Sequence, residues 1–112
     1  MELTIREHIV RIQIIDIRGR LQAASVGALR NEQTRLIDAG NQHFIVDLRE
    51  TTFMDSAGMS ALVSLLKQAK QIGGDVVLVK PTDEAAYRIL TLTRFDQVFR
   101  MADTVEDALR LF

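Results

Sequence analysis

A strongly apolar segment that meets a helix across a short polar loop constrains this chain more than any other feature. The segment His43–Leu48 is rich in Phe, Ile, Val and Leu, which is typical of a strand in the middle of a sheet. The later segment Ala61–Lys70 has the composition of a helix. The stretch Phe53–Met59 therefore lies where a strand gives way to a helix, and the hydroxyl of Ser56 lies near the start of that helix.

The N-terminal part of the chain predicts two strands and then a helix. Residues 2–18 are rich in Ile and Val, which favours two strands separated by a bend near Glu7–Val10. Helical spacing over Ala23–Ala39 predicts the first helix, with Ser25 as its N-cap and Gly40 as its stop.

The rest of the chain continues to alternate between strand and helix patterns. The pattern predicts five further elements after the strand at residues 43–48: a helix ending at Ile72, a strand over Asp75–Lys80, a helix over about Asp83–Leu92, a short strand over Val98–Met101 and a final helix from Thr104. The order is β-β-α-β-α-β-α-β-α. We expect one α/β domain over residues 1–112, with about four helices, a mixed, mostly parallel sheet and an antiparallel N-terminal hairpin.

Composition argues against several classes of function. The chain of 112 residues has no cysteine and a net charge of −1, so disulfides, thiolate chemistry and a general attraction to nucleic acid are not expected. His8 and His43 form no ligand pair of recognisable spacing and no Ser/His/acid set with Ser56. No apolar run approaches the roughly 20 residues of a membrane span. We therefore expect a cytoplasmic protein that is not an enzyme and needs no metal or cofactor.

The corner itself carries the chemistry of a modification site. Asp55 is a candidate N-cap, which makes Ser56 the first helical residue, beside unpaired backbone N–H groups that stabilise a phosphate. Taken alone, however, an Asp-Ser pair at a helix start is more often plain helix capping. Ala57 and Gly58 are expected to leave room for a partner, and Met54 and Met59 are expected to offer it an adaptable apolar contact. Core filling is the alternative for Met59.

Asp47 offers a second candidate phosphate acceptor, because it ends an apolar strand as the aspartates of response-regulator receivers do. A receiver also needs an acidic pair after its first strand, whereas Gly19–Gln22 follows the second strand here. We therefore interpret Asp47 as a structural residue.

The span Val46–Met59 resembles the signature of STAS domains. More narrowly, it is similar to the anti-sigma factor antagonists of bacterial sporulation and general stress control. Three further segments support the resemblance, which extends over essentially the whole chain: Gly19–Leu21, Lys70–Gly74 and Leu92–Phe99.

This resemblance implies a switch between partners. In the family, the unmodified antagonist binds a GHKL-type serine kinase that is also an anti-sigma factor, and the kinase then releases its sigma factor. Phosphorylation of the serine that matches Ser56 weakens this binding, and a PP2C-type phosphatase reverses it. The residues expected to contact the partner are Met54, Asp55, Ser56, Ala57, Gly58, Met59 and Gln22.

Two positions depart from the family pattern. Gln22 stands where relatives often carry an acidic residue, and Arg94 stands where many have glycine. A left-handed backbone is less favourable for Arg than for Gly, so the loop at Arg94 is expected to differ. The alternative function is a STAS module without phosphorylation, which binds a nucleotide or lipid-like ligand or forms part of a larger signalling or transport complex. A serine after Asp55 favours the switch.

Overall fold

The computed structural model describes residues 1–112 and contains six strands and five helices. The strands are β1 (Gln13–Asp16), β2 (Gly19–Leu21), β3 (His43–Asp47), β4 (Thr51–Met54), β5 (Asp75–Val79) and β6 (Arg100–Ala102). The helices are α1 (Val26–Asp38), α2 (Ser56–Gln71), α3 (Glu84–Leu92), α4 (Phe95–Val98) and α5 (Val105–Leu109).

Four of the strands form one parallel sheet in the order β1-β3-β5-β6, and β2 and β4 form a separate parallel pair. Helices return the chain between β3 and β5 and between β5 and β6, as parallel neighbours require. The interior strand β3 is the apolar segment singled out above, and Phe44, Ile45 and Val46 are fully buried. The predicted α/β class with a mostly parallel sheet is confirmed.

The antiparallel hairpin is the part of the fold prediction that was wrong. Two consecutive N-terminal strands do occur, but they are β1 and β2, and each pairs in parallel with a later strand. Residues 1–12 form no strand, and residues 1–11 are exposed. The segment Glu7–Arg11 contains none of the Gly, Asn, Asp or Pro residues that close tight turns, so nothing local folds the chain back.

Strand β4 and helix α4 are absent from the sequence prediction. β4 lies where a loop was expected, and it pairs with β2. Thr51 is fully buried in β4, and its hydroxyl donates to the carbonyl of Ile17 at 2.8 Å.

The predicted side-chain cap at Ser25 is also wrong. The Ser25 hydroxyl donates to the carbonyl of Arg20 at 2.8 Å and gives α1 no side-chain cap. This bond holds the loop between β2 and α1 instead.

The two faces of the large sheet differ in how they are covered. Phe44 and Val46 point to the main core, where partly buried side chains of α1 and α2 also pack. The alternate residues Ile45, Val77 and Val79 point to a smaller core that includes Ala108 of α5. Because α5 has only five residues, this second face has the thinner cover.

Arg94 adopts the left-handed conformation that glycine accommodates without strain. Its φ is 61° and its ψ is 27°, and it is the N-cap of α4. A left-handed residue with a side chain costs about 1–2 kcal/mol relative to the right-handed form. The replacement of glycine therefore does not prevent the left-handed turn between α3 and α4.

Candidate functional site

Asp55 fixes the start of α2, as the sequence predicts. Its backbone is extended, with φ −109° and ψ −177°. Its carboxylate accepts a hydrogen bond from the backbone N–H of Gly58 at 2.9 Å, which is the arrangement of a helix N-cap. The next residue, Ser56, is then the first residue of the helix.

The same carboxylate joins the helix start to the loop that follows β2. Its second oxygen accepts from the backbone N–H of Ala23 at 2.9 Å. The backbone N–H of Asp55 donates to the carbonyl of Leu21 at 3.2 Å. Gln22 lies between these two anchors, so the loop carries it to the same corner as Ser56.

Ser56 is exposed at the end of a 16-residue helix. A helix start leaves four backbone N–H groups without intrahelical partners. Here the N–H of Asp55 is bonded to Leu21 and that of Gly58 to the Asp55 carboxylate. The N–H groups of Ser56 and Ala57 remain at the positive end of the helix dipole, where a phosphate is stabilised.

An arginine and an aromatic ring complete this corner. The guanidinium carbon of Arg20 lies 4.4 Å from the centre of the Phe53 ring, and the Nε of Arg20 donates to the Gln22 side chain at 3.3 Å. Stacked Arg and Phe side chains form a surface with both charge and apolar area. The sequence pattern does not indicate this contact because Arg20 and Phe53 are far apart in the chain. Only the pairing of β2 with β4 brings them together, with Arg20 opposite Phe53 in register.

Three of the predicted contact residues face inwards. Met54 is 2% exposed and Met59 is 8% exposed, and both belong to the main core, so the expected adaptable contact surface is not available. Gly58 is also buried, and the room it leaves is occupied by β2. A Cβ at Gly58 would lie 2.5 Å from the carbonyl oxygen of Leu21. The predicted partner surface is therefore reduced to Asp55, Ser56, Ala57 and Gln22.

The close approach of Gly58 to Leu21 predicts a cost for any side chain at this position. We expect Gly58→Ala to lower the free energy of unfolding by about 1–3 kcal/mol, because β2 or the helix start has to move. Gly27→Ala is the matched control, since Gly27 lies in the first turn of α1 and no atom within 4 Å would meet its Cβ. That control should gain up to about 1 kcal/mol from helix propensity. Urea unfolding of both variants measures the difference, and equal effects would contradict the packing argument.

A second cluster of charges lies where β1 and β3 end. A depression of about 410 Å³ is lined there mainly by charged residues, among them Asp47, Arg49 and Glu50. Arg49 binds both carboxylate oxygens of Asp47, and Arg18 pairs with Glu50 at 2.6 Å. Burial raises the pKa of Asp47, but the hydrogen bonds and charge of Arg49 outweigh this effect and leave the pKa below its ordinary value. This pairing supports a structural role for Asp47.

The hydrogen bonds to Asp55 also predict a dependence of stability on pH. The N–H groups of Gly58 and then of Ala23 hold the pKa of Asp55 below its ordinary value. The unfolded chain therefore binds this proton more readily. The stability that Asp55 contributes is complete above the unfolded pKa of about 4 and is lost as the pH falls through the folded pKa.

We expect Asp55→Asn to be less stable than the wild type near neutral pH, and the difference to shrink as the pH falls. Urea unfolding at several values from about pH 6 to about pH 3 measures this difference. Asp38→Asn is the control, since Asp38 is an exposed carboxylate at the end of α1. A difference at Asp55 that stays constant across this range would contradict the prediction.

The chain belongs to the STAS domain family, whose model matches residues 2–108. Two relatives from Thermotoga neapolitana and Thermotoga maritima, provisionally named anti-sigma factor antagonists, are 29% and 33% identical over 65% and 62% of this chain. The matches span only 64% and 59% of those two proteins. A Bordetella bronchiseptica protein with the same provisional name, BtrV, is 27% identical over 100% of this chain and 95% of its own length.

Solved structures agree with this assignment at the level of the fold. A provisionally named anti-sigma factor antagonist of Thermotoga maritima has a TM-score of 0.81 at 23% identity, covering 88% of this chain and 85% of its own. The Bacillus protein SpoIIAA in its phosphorylated form has a TM-score of 0.69 at 21% identity, covering 93% and 94%. A sulfate transporter family protein from Wolinella succinogenes has 0.70 at 20% identity, covering 93% and 88%. None of the helices described above has the length and apolar character to cross a membrane.

Proposed function

We propose that this protein is an anti-sigma factor antagonist that switches between partners through phosphorylation of Ser56. The unmodified form binds a GHKL-type serine kinase that also acts as an anti-sigma factor, and the bound kinase releases its sigma factor. Phosphate on Ser56 ends this binding, and a PP2C-type phosphatase restores it. The observation that carries the proposal is the exposed Ser56 hydroxyl at a helix start that Asp55 fixes on two sides.

The local geometry supports phosphate acceptance without a change of fold. A phosphoserine carries a charge of about −1.5 to −2 at neutral pH. At the first position of α2, this charge meets the N–H group of Ser56 and the positive end of the helix dipole. Asp55 keeps its own hydrogen bonds to Gly58 and Ala23 while it repels the new charge. The domain therefore tolerates the phosphate.

The same geometry makes the phosphate unfavourable at a protein interface. The unmodified corner presents a neutral hydroxyl beside Ala57, Gln22 and the stacked pair of Arg20 and Phe53. A partner that covers this corner would have to remove the water from a doubly charged group. Loss of binding follows from this cost.

Phosphate mapping tests the proposal directly. The protein is incubated with ATP and each GHKL-type kinase encoded in its own genome, and the modified residue is located by mass spectrometry. We expect phosphate on Ser56 with one kinase, none on Ser56→Ala, and removal by a PP2C-type phosphatase. Ser60→Ala is the matched control, since Ser60 is exposed one turn further along α2. Phosphate on another residue, or on none with every kinase, would refute the switch.

The fold shared with a sulfate transporter family protein supports one alternative, a subunit of a larger transport complex. In that role the Ser56 corner would bind its partner without modification. Affinity capture from the source cell distinguishes the two functions. The switch predicts that a kinase is recovered and that its recovery depends on the state of Ser56. The alternative predicts that a transporter is recovered whatever the state of Ser56.

A further inference from the structure

Two arginines flank Ser56, and neither of them is paired with a carboxylate. Arg20 belongs to β2 and Arg30 to α1, and both side chains are exposed. Arg30 lies 3.5 Å from the hydroxyl of Ser60, one turn beyond Ser56 on α2. Seven other basic side chains form ion pairs with acidic residues, whereas these two contact only neutral groups. Both charges are therefore available to a partner.

The segments that build the corner around Ser56 carry little negative charge. Asp55 is the one acidic residue within residues 19–31 and 51–64. Each oxygen of its carboxylate already accepts a hydrogen bond from a backbone N–H group. The whole chain has a net charge of −1, whereas this corner is positive. A positive patch on a slightly acidic protein favours association with a negatively charged surface.

Arg20 is preorganised to bind a carboxylate. Its guanidinium stacks on the half-buried ring of Phe53, and its Nε donates to the Gln22 side chain at 3.3 Å. The two terminal nitrogens of Arg20 have no hydrogen-bond partner in the protein. Together they present parallel N–H groups that match the two oxygens of a carboxylate. Because the stack already restrains the side chain, binding costs less conformational entropy.

This chemistry indicates an acidic protein surface as the partner. Two arginines are too few for a surface that binds nucleic acid, and the negative net charge of the chain opposes such binding. An arginine beside an aromatic ring is typical of protein interfaces. We propose that the kinase that covers the Ser56 corner places a carboxylate against the terminal nitrogens of Arg20 and further acidic side chains near Arg30. This inference rests on the proposed function and defines the surface of the kinase that binds the antagonist.

An acidic partner gives phosphorylation a second effect on binding. A phosphate on Ser56 adds a charge of about −1.5 to −2 beside the two arginines and cancels their positive potential. The acidic surface of the kinase is then no longer attracted to the corner, so the association rate falls as well as the stability of the complex.

Charge reversal at Arg20 tests the contact by calorimetric titration against the kinase that modifies Ser56. We expect Arg20→Glu to weaken binding about 100-fold and Arg20→Gln about tenfold, as for an arginine at the centre of an interface. Lys67→Glu is the matched control and should bind nearly as well as the wild type. Lys67 is also exposed and unpaired, but it lies about 16 Å further along α2 than Ser56. Thermal melts should show that all three variants remain folded. Equal losses for Arg20→Glu and Lys67→Glu would overturn the proposal.

Charge exchange identifies the facing group on the kinase. Each exposed Asp or Glu of the kinase is changed to Lys in turn and titrated with Arg20→Glu. One such variant should restore about tenfold or more of the lost affinity. If none does, the proposal is wrong. Normal binding by Arg20→Gln with slow phosphate transfer to Ser56 would assign the arginine to the phosphates of ATP and would also overturn it.

The outcomes separate this inference from the proposed function. An Arg20→Glu protein that binds the kinase and accepts phosphate on Ser56 as the wild type does would overturn the acidic contact and leave the switch in place. A protein that no kinase modifies on Ser56 would refute the switch itself, and the inference with it.

Discussion

The protein phosphorylated on Ser56 is expected to bind its kinase about 100-fold more weakly than the unmodified protein, while its melting temperature hardly changes. The loss follows from the cost of burying an unpaired charge at an interface, about 2–5 kcal/mol, which corresponds to one to several powers of ten in affinity. The stability is preserved because the helix start offers unpaired N–H groups to the phosphate. The two measurements therefore separate an effect on binding from an effect on folding.

Calorimetric titration of the kinase with each form of the antagonist measures the affinity, and a thermal melt of each form measures the stability. Ser56→Ala removes the phosphate acceptor without adding charge and should bind nearly as well as the wild type. Gln68→Glu adds one negative charge to an exposed position about 18 Å further along α2 and should also bind normally. Tight binding by the phosphorylated form would contradict the switch. Weak binding by Gln68→Glu would indicate a general charge effect.

Gly74→Ala is expected to be the most destabilising single methyl addition in this protein. Gly74 is buried between the end of α2 and the start of β5. A Cβ at this position would lie 1.6 Å from the carbonyl oxygen of Gln42 and 2.4 Å from its carbonyl carbon. That same carbonyl accepts the backbone N–H of Asp75 at 3.1 Å, where β3 and β5 begin to pair. The strands therefore have to separate to admit the methyl group.

We expect the free energy of unfolding of Gly74→Ala to fall by more than about 3 kcal/mol, at the upper end of overpacking effects. Gly73→Ala is the neighbouring control. Gly73 has a φ of 84°, but the nearest atom to an added Cβ is 3.7 Å away, so only backbone strain of about 1–2 kcal/mol is expected. Urea unfolding of both variants gives the comparison. A Gly74→Ala protein as stable as Gly73→Ala would contradict this prediction, because it would mean that the start of β5 moves at little cost to admit the methyl group.

The corner around Ser56 follows from the sequence because its signals are local. Asp55 lies at the start of a helix pattern, and its capping bond to Gly58 spans only three residues. The general order of strands and helices rests on equally local periodicity. Such features depend on near neighbours and can be predicted without knowledge of the rest of the fold.

Features that depend on distant pairing could not be predicted in the same way. β4 is a strand because β2 lies beside it, and its own sequence Thr51–Met54 is also compatible with a loop. The inward position of Met54 and Met59 follows from a core that gathers side chains of strands and helices far apart in the chain.

Under the proposed function, the two bonds of the Asp55 carboxylate have a consequence for how a kinase would recognise this protein. They join the segments that contain Gln22 and Ser56, which are separate in sequence, into one rigid epitope. A synthetic peptide that copies only Phe53–Met59 would lack half of that epitope and would have no fixed helix start. Such a peptide should be phosphorylated far more slowly than the folded domain. Kinase specificity among related antagonists would then depend on two co-varying segments, and transplanting one of them would not redirect signalling.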